Sequence, residues 1–494
     1  MKSFTLTSVA HVLVLAGLSD AFWRMECPNR SALARIDPLV SIGSAAQHVH
    51  AIHGSSGFSA SSSTADLLAG QCTSCRVSED KSAYWTPAVY FKSASTGEFT
   101  LVNQVGGMLA YYLLFTNAGE KTVTAFPPGF EMISGDTNQR NYSYPVPDAV
   151  EKSRWASTAP YNTQAFLRQA ALGFNCLNYQ KAPEPSLYRH FLPDKAYLDA
   201  NCADGVRFEL MFPSCWDGKN NAPSDKQSHV AFPDQVMTGE CPKGFKTRLP
   251  SLFYETIWDT HAFSGQDGQF VISNGDPTGY GYHGDFIMGW DSDFLQKAAD
   301  TCTNPSGRIE DCPLFTIQDE DAYSSCKVPS SNIPIAAAKD QLLSKLSSLP
   351  GNVQIFAGPG RAGGGSAAPS IDLPSPKKPS APAPTSDIVP VVPTVSYKAA
   401  TSASSGAYVP GGAFAEQPSS PAAAVTPAPN AASLGPSESF FSTQYATKGN
   451  TVEEVFWVEE EVTTTIFATE TMTAGANKGR KRHLHKHRRA GAGH

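Results

Sequence analysis

Two closely spaced histidines, His48 and His50, are the first residues that could act together. On a strand, side chains two residues apart share a face, so these imidazoles should point together while Val49 points away. Paired imidazoles are typical of a metal site or a proton-transfer pair. A third ligand such as His229 or His283 would complete a copper or zinc site. The alternative is a pair of hydrogen-bonded structural histidines, since no H-E-x-x-H helix supports a metal.

A segment rich in glycine and tyrosine, residues 273–286, is too elaborate for a simple connection. Long ordered loops in compact domains are often functional. Tyr280 and Tyr282 could stack on sugar rings, and His283 and Asp285 could form an oriented acid/base pair. The alternative is a rigid, turn-rich loop without a catalytic role.

Glu255 is a further candidate acid/base group, with Trp258 and Trp216 as additional sugar platforms. Glu255 and Asp259 would share one face of a strand about 13 Å apart. Paired glycosidase carboxylates are only about 5–9.5 Å apart, so a second working carboxylate would come from another strand. Glu209 lies in an apolar strand, where an unpaired charge is costly, and Arg207 or Arg248 should pair with it.

The elements that must position these residues are mostly strands. Strand patterns cover residues 47–52, 84–91, 108–115, 206–212, 251–258 and 270–273, whereas helical patterns are confined to residues 163–172 and 292–299. About 300 residues of short strands and turns predict a mainly β fold, a β-sandwich or jelly roll with long loops and a few short helices.

The cysteines and the first residues indicate secretion. Residues 1–21 have the basic start, short apolar run and small residues of a signal peptide. All ten cysteines lie between Cys27 and Cys326, so a disulfide-stapled domain is expected over residues 22–327. No later apolar run is long enough to predict a transmembrane segment. We therefore expect an extracellular or cell-wall location.

The C-terminal third changes composition several times. Residues 328–349 could form a helix that closes the domain, and residues 350–448 are a Pro/Ala/Ser/Gly-rich stalk expected to be disordered. Residues 449–477 form a Thr-rich, strand-like patch, and residues 478–494 a basic, His-rich tail. An extracellular basic tail favours anionic wall polymers over nucleic acid as its partner.

Several motifs occur together in order, and their combination resembles a known family. They are Trp23-Arg24-Met25 with Cys27-Pro28, His48-Val49-His50, Cys215 to Asn220, Ser228 to Pro233, the Glu255-to-Asp259 strand, and Asn274 to Tyr280 leading to Trp290-Asp291. Over about residues 22–326 the chain resembles a fungal secreted family known only as domain of unknown function 1996. The resemblance implies a filamentous-fungal extracellular protein and leaves its chemistry open.

Three functions are compatible with these features. The first is a hydrolase or lyase acting on cell-wall polysaccharide, and the second is a non-catalytic glycan-binding or structural wall protein. The third is a copper or zinc protein ligated by histidines, although the sequence requires no cofactor. Sequons at Asn29 and Asn141 would make the protein a glycoprotein if they are used.

Overall fold

The computed structural model describes residues 21–144 and 158–364, together with the backbone of residues 439–448 and 451–459. The predicted signal peptide, apart from Ala21, and the basic tail lie outside the described residues, as does most of the predicted stalk. The chain divides into two units, Met1–Gln417 and Pro418–His494.

The described part of the first unit consists mainly of short strands. They are β1 Phe22–Cys27, β2 Ala32–Ala34, β3 His50–Gly54, β4 Ala83–Pro87, β5 Val89–Ser93, β6 Phe99–Leu101, β7 Gln104–Leu113, β8 Glu131–Gly135, β9 Leu172–Cys176, β10 Val206–Met211, β11 Cys215–Trp216, β12 Val230–Ala231, β13 Thr247–Arg248, β14 Ser251–Trp258, β15 Gly268–Ile272 and β16 His283–Ile287. The α-helices are α1 Thr64–Ala69, α2 Gln164–Ala170, α3 Lys195–Asn201, α4 Ser292–Thr301, α5 Glu320–Ser325 and α6 Ile335–Ala338.

Two five-stranded antiparallel sheets form a sandwich. The first has the order β1-β7-β14-β10-β9 and the second the order β2-β3-β4-β16-β8. Their inner faces pack against each other: the rings of Tyr84 and Tyr254 lie 5.7 Å apart, and the Tyr254 hydroxyl donates to the Asp285 carbonyl at 3.1 Å. The predicted mainly β, sandwich-like class is confirmed. Two three-stranded sheets, β12-β11-β13 and β15-β5-β6, flank it.

Alternation along the strands sends some polar residues to the outer faces of the sandwich. On β14, Tyr254 and Trp258 belong to the main core, so Glu255 points outward. On β3, Ala51 belongs to that core, so His50 and Ile52 point outward. Loops and helices cover both outer faces, and Glu255 and His50 are therefore buried without being inside the sandwich.

Disulfides join all ten cysteines. The pairs are Cys27–Cys75, Cys72–Cys326, Cys176–Cys202, Cys215–Cys241 and Cys302–Cys312. The two members of the C-x-x-C motif thus belong to different bridges, which excludes a redox dithiol formed between them. The described residues contain no helix long and apolar enough to cross a membrane.

The folded part extends beyond the last cysteine. Of the helix predicted over residues 328–349, only Ile335–Ala338 is α-helical. Leu346 and Leu349 are buried in the main core, and the Phe356 amide donates to the Gly275 carbonyl at 3.0 Å. Residues 350–364, assigned to the stalk from composition, therefore pack against the domain.

The described backbone of the second unit is a hairpin. Strand β17, Ser439–Lys448, pairs antiparallel with β18, Thr451–Glu459. Strand β18 falls in the Thr-rich patch predicted to be strand-like, whereas β17 falls in the segment assigned to the stalk.

Candidate metal centre

Three histidines from two distant parts of the sequence meet on the outer face of the second sheet. His50 pairs with Pro87 on β4, and His283 pairs with Gly135 on β8. Since Asp285 pairs with Trp85, the register also puts Pro87 opposite His283. Strands β3 and β16 are separated by β4, so their backbones lie about 9–10 Å apart. The ring centroids of His50 and His283 are only 6.0 Å apart, so the rings converge above Pro87.

His48 completes the cluster from the bend that precedes β3. Its ring centroid is 4.4 Å from that of His50, and Val49 between them is buried in the main core, as the two-residue spacing predicted. The Nε2 atoms of His48 and His283 are 3.1 Å apart. One ring nitrogen from each histidine lies within 4.8 Å of the other two.

Backbone carbonyls orient two of the three rings. Nδ1 of His50 lies 2.9 Å from the Ile36 carbonyl oxygen, and Nδ1 of His283 lies 2.9 Å from that of Gly281. A carbonyl only accepts, so each Nδ1 carries the hydrogen and each Nε2 presents a lone pair. This arrangement is typical of metal-binding histidines, whose second ring nitrogen donates to an outer acceptor. Nε2 of His50 is buried and has no hydrogen-bond partner among the described residues.

Burial keeps all three imidazoles neutral near physiological pH. Desolvation lowers the pKa of His48 well below its usual value and lowers the pKa of His50 to about 3. It also lowers the pKa of His283 to about 4. Neutral imidazole is the form that binds a metal ion.

The spacing of the nitrogens fits a small metal ion after minor movement. Zinc–nitrogen bonds of about 2.0–2.1 Å place tetrahedral ligand nitrogens about 3.4 Å apart. The observed separations, 3.1 Å for one pair and at most 4.8 Å for the others, bracket that value. Three imidazoles without a carboxylate suit zinc or copper and leave a coordination position for water or substrate.

A cavity of about 240 Å³ begins beside the cluster. Its lining includes Gly135, the cross-strand partner of His283, and Tyr280, three residues before His283. Gly135 has a φ of +84°, and a Cβ there would lie 2.8 Å from the Cα of His283. Only glycine fits this position without displacing the histidine.

The other predicted metal ligand, His229, lies elsewhere. It directly precedes β12 in a flanking sheet, and its ring packs 5.1 Å from that of Phe130. Of the two residues predicted as a possible third ligand, the structure therefore places His283 and not His229 beside His48 and His50. Strand pairing brings β16, which carries His283, close to β3.

The expected acid/base pair of His283 and Asp285 does not form. Both residues lie on β16 rather than in a loop, and His283 directs Nδ1 to a carbonyl instead of to Asp285. The side chain of Asp285 is buried, and its Oδ2 has no partner among the described residues. Burial, reinforced by Asp37, raises the pKa of Asp285 well above its usual value, which favours the neutral acid.

The four predicted sugar platforms occupy different environments. Tyr282 and Trp258 are fully buried, and both hydrogen-bond to the Thr256 hydroxyl, so neither ring offers a face to a ligand. Tyr280 lines the cavity and is half-buried. Trp216 is half-buried on a flanking sheet and donates from Nε1 to the Asn220 carbonyl at 2.7 Å.

Glu255 lies on the first sheet, in a polar network with Glu209, Arg207 and Tyr111. No sequence pattern predicted that these residues are neighbours of Glu255. Glu209 on the neighbouring strand is its direct cross-strand partner. Arg207 contacts both, at 2.8 Å to Glu209 and 3.4 Å to Glu255, as expected for Glu209. The Tyr111 hydroxyl donates to Glu255 at 2.7 Å, a contact without a sequence signal.

The hydrogen bonding of Glu209 indicates a structural role. Its carboxylate is fully buried and accepts from the Leu187 amide at 2.5 Å and from Asn175 at 2.9 Å. Burial raises the pKa of Glu209 to about 8, an effect that Arg207 opposes. A carboxylate enclosed in this way has no path to a sugar in this conformation.

Comparison with family models gives one match. The model described as a domain of unknown function (DUF1996) matches residues 37–290, which include His48, His50 and His283. Comparisons with curated proteins and with solved structures find no match. The match covers just over half of the chain, and the chain therefore belongs to the DUF1996 family.

Proposed function

We propose that this protein is a secreted metalloprotein in which His48, His50 and His283 hold zinc or copper, and that it acts on a cell-wall polysaccharide. The observation that carries the proposal is the convergence of three neutral imidazoles with one buried nitrogen unpartnered. An unsatisfied buried acceptor costs about 1–3 kcal/mol, and a metal ion would remove that cost.

The chemistry follows from the ligand set. A dication held by three neutral ligands keeps its full charge, so it acts as a strong Lewis acid toward a bound water or a sugar oxygen. The chain supplies the orientation, because carbonyls fix the rings of His50 and His283. The cavity that Gly135 lines would hold a group of the substrate beside the strand of His283, although none of the three histidines lines that cavity. This arrangement supports a hydrolase or a lyase.

Extracellular action rests on the predicted signal peptide and the five disulfides, which are typical of exported proteins. The fungal wall as the setting rests on the family resemblance and on the Pro/Ser/Thr-rich composition of the tail.

Metal analysis of the purified full chain tests the centre. After metal removal and separate reconstitution with zinc and copper, we expect one equivalent per chain for wild type. His50→Gln and His283→Gln should lose it. His261→Gln is the matched control, because His261 is exposed in the Thr260–Phe263 turn of 3₁₀ helix and lies outside the cluster. Metal well below one equivalent in the wild type would overturn the proposal.

Activity is tested on the same proteins with a panel of neutral and acidic wall polysaccharides. Oligosaccharide release should require the metal and should disappear in His283→Gln but not in His261→Gln. Metal binding and saturable glycan binding without any release would instead identify a non-catalytic wall protein, and the catalytic part of the proposal would be withdrawn.

A further inference from the structure

We infer that the cavity beside Gly135 recognises the carboxylate of a uronic-acid residue. This inference rests on the proposed function, since it names the substrate class of the same site. The charged residues that line the cavity are Asp136, Arg168 and Arg361, which gives the lining one excess positive charge.

Arg168 supplies that excess charge. Arg361 is already neutralised by Asp136 at 2.6 Å. Arg168 donates from Nη1 to the neutral amide of Gln227 at 2.7 Å, and no carboxylate among the described residues lies within ion-pair distance of it. Asp225, the other nearby acid, accepts hydrogen bonds from the Gln227 and Ser228 amides instead. A half-buried guanidinium that forms no ion pair with a described carboxylate is a suitable partner for the carboxylate of a ligand.

The size and the aromatic wall of the cavity favour an acidic sugar over a larger anion. A volume of about 240 Å³ is below that of most drug-sized pockets, so it suits one ring-sized group. Tyr280 forms one wall and is supported by Tyr142, whose ring is 6.2 Å away and stacks on His190 at 5.6 Å. A half-buried tyrosine and an arginine that pairs with no described carboxylate offer both an apolar face and a cation to a uronate.

Position relates the cavity to the histidines. Helix α2 contributes Arg168 to the lining of the cavity, and Gly135, which also lines it, pairs with His283. A sugar whose carboxylate contacts Arg168 would thus be placed close to the histidine cluster.

Calorimetric titration of the full chain with trigalacturonate and with its methyl ester tests the inference. The ester retains the sugar ring and removes the charge. We expect the acid to bind at least 10-fold more tightly than the ester, with a difference that shrinks as salt is added. Arg168→Gln should reduce binding of the acid at least 10-fold and leave the ester unchanged. Lys297→Gln, which removes an exposed charge on α4, is the control.

A second variant and a second probe keep the test decisive. Ala165→Trp adds bulk at an exposed helix position on the cavity wall and should block both ligands without removing a charge. Equal affinity for acid and ester, or full binding by folded Arg168→Gln, would overturn the inference. If inorganic phosphate binds as tightly as trigalacturonate, the cavity is a general anion site and the sugar assignment fails.

The metal proposal can fail separately. His50→Gln should retain selective binding of the acid, because His50 does not line the cavity. Selective binding by a protein that holds no metal would reject the metal centre and support the cavity assignment. Metal binding without a preference for the acid over its ester would support the metal centre and reject the cavity assignment.

Discussion

Replacement of Arg207 by methionine tests whether the two carboxylates on the first sheet are structural. Arg207 contacts Glu209 at 2.8 Å and Glu255 at 3.4 Å, and its side chain is 11% exposed. Methionine keeps much of the length and packing of arginine but removes the charge. Glu209, which is fully buried, would then lose its cation. Breaking a buried pair by removing one partner typically costs about 3–5 kcal/mol, and we expect a loss of that size in the free energy of unfolding.

The stability lost in Arg207→Met should depend on pH, because Glu209 must ionise before it needs the cation. Burial raises the pKa of Glu209 from its ordinary value of 4.5 to about 8 in the folded protein. For an acid whose folded pKa is raised, stability is greatest below the unfolded pKa and falls as the pH rises toward the folded pKa. Removing Arg207 raises the pKa of Glu209 in the folded protein further. The variant is therefore less stable than the wild type mainly at pH values at which Glu209 is ionised in the wild-type protein. The loss in Arg207→Met should therefore be large at pH 9 and small at pH 5.

Denaturant unfolding at pH 5 and pH 9 measures both effects. Lys297→Met removes an exposed charge as the control and should change stability by less than about 0.5 kcal/mol at either pH. Arg207→Met/Glu209→Gln should regain part of the loss at pH 9, because the buried charge is gone. A loss below about 1 kcal/mol, or the same loss at both pH values, would refute a buried ion pair as the role of these residues.

Three further predictions concern the metal centre and the disulfide framework. Zinc at 100 times its dissociation constant should stabilise the wild-type protein by about 2.7 kcal/mol, visible as a higher unfolding temperature, and should not stabilise His50→Gln. Gly135→Ala should lower the free energy of unfolding by about 1–3 kcal/mol and should also lower the metal content. Gly97→Ala is the control, because Gly97 has a similar φ but open space around it, and it should leave the metal content unchanged. Removing the bridge between Cys72 and Cys326, which spans 254 residues, by a double serine substitution should cost about 2–5 kcal/mol in denaturant unfolding.

Local patterns in the sequence predicted much of the fold. Alternating residues located the strand of Glu255 with its observed limits, and the two-residue spacing of His48 and His50 correctly gave them one face. Which face of a strand meets the partner sheet is not a local property. Trp258 was consequently expected at a binding surface, but it belongs to the core.

The third histidine could not be selected from the sequence because it depends on strand pairing. His283 and His50 are brought together by the register of β16 on β4 and of β4 on β3. The glycines before His283 favoured interpretation as a loop, yet burial on both sides turns His283–Ile287 into a central strand. His229 was an equally good candidate from the sequence, but it directly precedes a strand of a different sheet.

The two outer faces of the sandwich both carry buried polar groups, and their hydrogen bonding distinguishes them. Around Glu209, an arginine, an amide side chain and a backbone amide satisfy the carboxylate, although Oδ1 of the contacting Asn175 has no partner among the described residues. Around the histidines, carbonyls fix two Nδ1 atoms, while Nε2 of His50 is left without a partner among the described residues. The ring nitrogens of His53 and His229 also lack partners among the described residues, but only His48, His50 and His283 bring ring nitrogens within 4.8 Å of one another there. That difference supports our proposal that the histidine face carries the chemistry of this protein and that the carboxylates have a structural role.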